Sequence, residues 1–213
     1  MLARELVPYA NRNDVIVLGL PRGGVPVAYE VAGALHAPLD VFVVRKLGLP
    51  GHEEFAMGAI ASGGARLLNR DVLRQFSVTT PDLTAVTNIE QRELERREHL
   101  YRGGVPFSDV EGKTAILVDD GIATGASMAV AVDALRREEP HRIVVAAPVA
   151  SLEASHLLCR MADDCAFVSL PEYFSSVGAW YADFRPTTDE EVHDLLIRSR
   201  SRMPDGAASL ATV

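Results

Sequence analysis

The segment Ile116-Leu117-Val118-Asp119-Asp120-Gly121-Ile122-Ala123-Thr124-Gly125-Ala126-Ser127 constrains this chain more than any other. Apolar residues run into two adjacent carboxylates, a short loop of small residues follows, and an Ala-rich helical run extends from Met128 to Arg137. A buried strand thus ends in acids and a helix begins among small residues. Adjacent acids at a buried strand end are costly unless they are used. Gly121 and Gly125 let the loop bend where side chains would clash. Backbone N–H groups, with the hydroxyls of Thr124 and Ser127, can surround a phosphate at the positive end of the helix. The two carboxylates can accept hydrogen bonds from a sugar diol.

The rest of the chain supplies a frame for such a loop. Val15–Leu20, Leu39–Arg45, Ala115–Asp119, Arg142–Ala147 and Cys165–Leu170 read as buried strands. Helices are expected over Val25–Leu35, Leu83–Arg102 and Ser151–Ala162, and Thr188–Glu191 resembles a capping box opening a last helix to about Arg198. Glu93–Arg97 and Glu98–Arg102 are spaced to pair along the charged helix. Ala56–Ile60 and Arg66–Asn69 flank Ser62-Gly63-Gly64 as a hairpin. Strands alternating with helices predict an α/β fold with a doubly wound, mostly parallel sheet. We expect one domain over residues 1–198, with a small C-terminal hood near 171–198 and a disordered tail over 199–213. In such sheets ligands bind at the carboxyl ends of the strands. The loops after Leu20, Val44 and Val118 would therefore converge.

A chain of 213 residues, 48% hydrophobic and 23% charged, suits one such domain. The net charge of -8 argues against a general nucleic-acid or membrane-surface binder. The two cysteines, Cys159 and Cys165, fit no common zinc or redox spacing. Their apolar neighbours predict buried thiols, as in a reducing compartment. The first residues carry no basic-then-apolar leader and no apolar run approaches a membrane span, so a cytoplasmic protein is expected. His36, His99, His141, His156 and His193 are scattered, and Ser62, Ser175 and Ser176 lack a nucleophile-elbow context.

The segment Val118–Ser127 resembles the phosphoribosyl pyrophosphate (PRPP) signature of the type I phosphoribosyltransferases, and the resemblance extends over the core from about Val15 to Leu170. It implies transfer of the 5-phosphoribosyl group of PRPP to a nitrogen nucleophile, a nucleobase in most of the family, with release of pyrophosphate. It implies Mg2+ as cofactor and a Mg-dependent pentosyltransferase activity in nucleotide salvage. Asp119 and Asp120 would hold the ribose hydroxyls and, directly or through water, the metal. Gly121 and Ala123 to Ser127, with Thr124, Gly125 and Ala126 between, would bind the 5-phosphate. Gly19-Leu20-Pro21-Arg22-Gly23-Gly24 resembles the family's pyrophosphate loop, a loop that in relatives often carries a cis peptide. There Arg22 would offer a fixed fork of donors and Gly23 and Gly24 close backbone approach.

Arg45 and Lys46, ahead of the Gly/Pro-rich stretch to Gly51, look like the basic pair that adenine phosphoribosyltransferases place near pyrophosphate before a flexible catalytic loop. Glu54-Phe55 is similar in kind to the acid and aromatic residue those enzymes use on the purine, and Glu54 is either a general acid/base or a surface-loop acid. Arg92, Arg96 and Arg97 either cover the phosphates or form a solvated face or dimer contact. Aromatics gather at Tyr173-Phe174 and Val177–Phe184, although aromatics make up only 6% of the chain. Trp180 and Tyr181 either stack an acceptor base, as a C-terminal hood would, or build a satellite core.

Two departures stand out, and the first counts against a standard 6-oxopurine enzyme. Ala123 stands where hypoxanthine-guanine enzymes carry an Asp, and Ala126 where a Lys is common. The main rival reading is a PRPP-sensing regulator with the same fold and little turnover. A hydrolase or phosphoribosyl-processing protein of the same fold with an unusual acceptor, and an interaction module that keeps only the pocket, are further alternatives.

Overall fold

The computed structural model describes residues 1–202, except for the side chains of Glu53 and Glu54. In chain order the elements are α1 (Leu2–Glu5), β1 (Val15–Gly19), α2 (Gly24–Leu35), β2 (Leu39–Val41), β3 (Val44–Leu49), β4 (His52–Ala61) and β5 (Arg66–Leu68). There follow α3 (Arg70–Gln75), α4 (Thr80–Arg102), β6 (Thr114–Val118), α5 (Ala126–Leu135) and β7 (Arg142–Val149). The last are α6 (Leu152–Met161), β8 (Asp164–Ser169) and α7 (Asp189–Arg202).

A five-stranded sheet in the order β2-β1-β6-β7-β8 is parallel throughout. Its central strands are apolar at nearly every position, and the two-residue period of a strand explains why. Val15, Val17, Ile116, Val118 and Val144 face one layer, which α2, α4 and α7 cover with Val25, Ala32, Leu94, Tyr101, Val192 and Leu196. Ile16, Leu18, Ala115, Leu117, Ile143 and Val145 face the other, which α5 and α6 cover with Met128, Val132, Leu135, Ala154 and Leu158. The result is a doubly wound α/β architecture. β3, β4 and β5 form a separate antiparallel sheet.

The apolar run Leu39–Arg45 is not one strand. It breaks at Phe42-Val43 into β2, in the parallel sheet, and β3, in the antiparallel one. Phe42 N–H bonds Gly19 O at 3.0 Å and Val43 N–H bonds Ser62 Oγ at 3.0 Å, so the break is satisfied from outside the run. The Gly/Pro-rich stretch after Lys46 is mostly ordered as β3, and only Pro50-Gly51 separates the paired residues Leu49 and His52. α7 continues to Arg202, so residues 199–202 are helical, and the rest of the expected tail lies outside the described residues. Cys159 and Cys165 are joined as a disulfide rather than buried as thiols. Their Cα atoms lie 5.7 Å apart because the end of α6 turns directly into β8. No helix among the described residues is long and apolar enough to cross a membrane.

A buried ion pair ties the two sheets together. Arg102, at the end of α4, donates from Nε to Asp40 Oδ1 at 2.9 Å and from Nη2 to Val41 O at 2.7 Å and Ser62 Oγ at 3.2 Å. Its Nη1 lies 2.7 Å from Glu98 Oε1, and its guanidinium stacks 5.0 Å from the Phe107 ring centre. Asp40 Oδ2 also accepts from Ser108 N–H at 2.9 Å. Segments distant in sequence thus meet on one guanidinium.

Candidate functional site

The strand order places a topological switch between β1 and β6. After β1 the chain moves through α2 to β2 on one side, and after β6 through α5 to β7 on the other. The crevice at this switch is where such sheets take ligands. The loops after both strands are held together there. Leu20 N–H bonds Val118 O at 2.9 Å, extending the β1–β6 pairing past the strand end. The Pro21–Arg22 peptide that follows is cis. Gly24 packs so closely that a Cβ would lie 2.6 Å from Val118 O and 2.8 Å from Asp119 Cα. A Cβ on Gly23 would overlap the Asp120 carboxylate. Gly23→Ala is therefore expected to displace Asp120 while the sheet stays folded. The check is a thermal melt within a few degrees of wild type beside faster amide hydrogen exchange over residues 119–121.

Asp119 and Asp120 leave the end of β6 side by side. Asp120 N–H bonds Asp119 Oδ1 at 2.9 Å. Burial, reinforced by the charge of Asp120, pushes the Asp119 pKa up to about 7. Burial also raises that of Asp120. Beyond them Ala123, Thr124, Ala126 and Ser127 are exposed, while Gly121 and Gly125 are buried beneath the loop. Gly125 has φ +76° at the N-cap of α5, a conformation that glycine adopts freely, and it rests against Ala154 and Leu158 of α6. Ala126 N–H reaches Thr124 Oγ1 at 3.4 Å. The loop is braced from behind by Ser151 Oγ, which donates to Ala123 O at 2.6 Å and caps α6 by accepting from Ala154 N–H at 3.0 Å. The result is a solvent-facing cradle of N–H groups at a helix start, next to two carboxylates. Its donor set suits an anion at one end and hydroxyls or a hard cation at the other.

Arg22 is half exposed, with Nη1 3.8 Å from Asp189 Oδ1 at the start of α7. Tyr101, buried on α4, donates its hydroxyl to the same oxygen at 2.8 Å. Burial, with that bond to Asp189, pushes the Tyr101 pKa up to about 12. The hood contributes Tyr181, whose hydroxyl donates to Asp120 O at 2.5 Å. Burial, then the charges of Asp120 and Asp119, push its pKa up to about 12. Tyr181 and Phe184 pack with ring centres 5.2 Å apart, and Trp180 stays half exposed. Tyr181 and Phe184 thus pack on each other, and Tyr173 and Trp180 stay exposed in the same segment.

Other expected residues lie elsewhere. Arg45 and Lys46 diverge on opposite faces of the hairpin. Arg45 donates from Nε to Glu90 Oε2 on α4 at 2.7 Å. Lys46 lines a cleft of about 620 Å3 between β4, β5 and α5, with Asn69, Asp133 and Arg137 among its neighbours. Arg96 and Arg97 both pair with Glu93 on their own helix, at 2.8 and 2.7 Å. The side chain of Glu54 lies outside the described residues. Sequence reasoning missed Asp189, Tyr101 and Ser151 at the site. Ser151 was detectable, since a serine between an apolar strand and a helical run is a cap that must sit near the strand end.

A model of the phosphoribosyl transferase domain matches residues 1–164, and the chain belongs to that family. It is 41% identical over 207 residues to Mycobacterium tuberculosis proteins of strains H37Rv and CDC 1551, whose names give a phosphoribosyl transferase activity only provisionally. The match covers 97% of this chain and 46% of theirs, so the chain spans about half the length of these relatives. It is also similar to the crystal structure of TT1426 from Thermus thermophilus. Identity is 43% and the TM-score 0.81, over 92% of this chain and 93% of that one.

Proposed function

We propose that the chain transfers the 5-phosphoribosyl group of PRPP to a nitrogen nucleophile, a nucleobase in the first instance, and releases pyrophosphate. The observation that carries this reading is the meeting of the Arg22 loop, the Asp119–Asp120 pair and the cradle over residues 121–127 in one crevice. A ligand with a phosphate, a vicinal diol and a second anionic group would engage all three at once.

In this reading the N–H groups of the cradle and the hydroxyls of Thr124 and Ser127 hold the 5-phosphate. Asp119 and Asp120 accept hydrogen bonds from the 2- and 3-hydroxyls. Their negative charge also favours the cationic character that grows on the ribose as the C1–pyrophosphate bond breaks, the electronic problem that glycosidases solve with carboxylates. Arg22 and the backbone N–H groups near Gly23 and Gly24 hold the departing pyrophosphate. Trp180 and Tyr181 border the side on which an acceptor would stack, and Glu54 is the proposed proton-transfer residue. Mg2+, when bound, would neutralise phosphate charge. The two carboxylates supply the oxygen ligands it prefers, and the described residues contain no cluster of three or more His, Cys, Asp or Glu for a protein-only cage, so phosphates and water would complete its shell. We place this activity in nucleotide salvage in the cytoplasm, with a homodimer as its assembly.

The test is calorimetric titration of PRPP with Mg2+ into wild type and an Asp119→Asn/Asp120→Asn variant, followed by a pyrophosphate-release screen across nucleobases. Micromolar binding that falls at least roughly 100-fold in the variant is expected, about what loss of two charged hydrogen-bond acceptors costs. Release with one base names the acceptor. Binding without release for any base moves the reading to a PRPP sensor, and no binding removes both.

A further inference from the structure

The segment leading from β8 into the first turn of α7 touches both halves of the crevice, through Val177 and Tyr181 on one side and Asp189 on the other. Tyr181 donates its hydroxyl to the backbone carbonyl of Asp120. Val177 packs on Gly121 so tightly that a Cβ there would lie 2.5 Å from Val177 Cγ1. These contacts fix the acid loop. At the other end of the segment Asp189 faces Arg22 of the Pro21–Gly24 loop. Asp189 does not hang free. Thr188 and Glu191 exchange capping hydrogen bonds of 3.0 and 3.1 Å, which seats Asp189 in the first turn of α7. Val192 and Leu196 bury α7 against the core, and Tyr101 donates to Asp189 Oδ1 from α4.

We propose that residues 177–189 form a clamp that sets the two ligand-binding loops relative to each other, with Tyr181 and Asp189 as positioning residues. Tyr181 holds the peptide of Asp120 and so aims its carboxylate. Asp189 holds the guanidinium of Arg22 through a long, charge-only contact, which restrains the side chain and leaves its donors open to an incoming anion. The consequence for catalysis rests on the PRPP reading given above. The clamp itself rests on the contacts alone.

Two variants isolate these roles. Tyr181→Phe removes only the hydroxyl and keeps the ring against Phe184. Asp189→Asn keeps an acceptor for Tyr101 and removes the charge facing Arg22. Amide hydrogen exchange without ligand is expected to quicken several-fold over residues 120–125 in Tyr181→Phe and over 22–24 in Asp189→Asn, with both melting within a few degrees of wild type. Titration with PRPP and Mg2+ is expected to show about tenfold weaker binding in each, the equivalent of one hydrogen bond or charge contact. Unchanged exchange in both variants overturns the clamp. Altered exchange with wild-type PRPP affinity overturns the positioning role. If wild type itself binds no PRPP, the functional reading fails, and exchange alone decides the clamp.

Discussion

Replacing Arg102 with methionine is expected to cost about 3–5 kcal/mol of folding free energy, the penalty for leaving one partner of a buried ion pair alone. The side chains of Arg102 and Asp40 are only 2% and 3% exposed, so solvent cannot rescue the orphaned carboxylate. The loss is larger than one contact because the guanidinium also serves Val41 O and Ser62 Oγ. The β2–β3 break and the Ser62–Gly64 turn lose their common partner together. Urea denaturation measures the effect. A double variant, Asp40→Asn/Arg102→Met, is expected to recover part of the stability, since the Asp40 charge is then no longer left buried and unpaired. If Arg102→Met melts like wild type, the network is not holding the two sheets together.

Asp119→Asn is expected to act with opposite signs on stability and on ligand binding. Burial and the neighbouring Asp120 raise the folded-state pKa of Asp119 to about 7, well above the value in an unfolded chain. The native state therefore binds this proton more tightly than the unfolded one. That contribution to stability is complete below about pH 4 and is lost as the pH rises through about 7. At pH 8 the wild type carries the full cost of the ionised carboxylate, on the order of 2 kcal/mol because the side chain keeps partial contact with water. The asparagine variant escapes that cost, so urea midpoints at pH 5 and pH 8 should lie closer together than in wild type. On the PRPP reading proposed above, affinity for PRPP with Mg2+ is expected to run the other way, strengthening in wild type as Asp119 ionises and failing to do so in the variant. A wild type whose stability does not fall between pH 5 and pH 8 contradicts the raised pKa.

The parallel sheet and its two covering layers were legible in the chain because strands buried on both faces are apolar without interruption. The same property hid the break at Phe42-Val43. Both sides of the break are buried, so hydrophobicity continues through it and only the outside partners, Gly19 O and Ser62 Oγ, reveal the turn. The acid pair and the small-residue loop were legible because they violate the expectation for a buried strand end and have few bland uses. The divergence of Arg45 and Lys46 follows from strand alternation, which sends adjacent side chains to opposite faces. Asp189 and Tyr101 were invisible as site residues. One looked like an ordinary helix-start acid and the other lay inside a charged helix, and only the folded chain brings both beside Arg22.

The position of β1 in the sheet has a consequence for how the molecule is made. One neighbour, β2, follows within a short span, since Val17 pairs with Leu39. The other neighbour arrives far later, since Val15 pairs with Thr114. During synthesis this strand, second from the edge of the sheet, must keep one side open until more than half of the chain has left the ribosome. The hairpin sheet and α4, built from contacts local in sequence, can form in that interval. Assembly of the crevice is therefore a late event that waits on the arrival of residues 114–118.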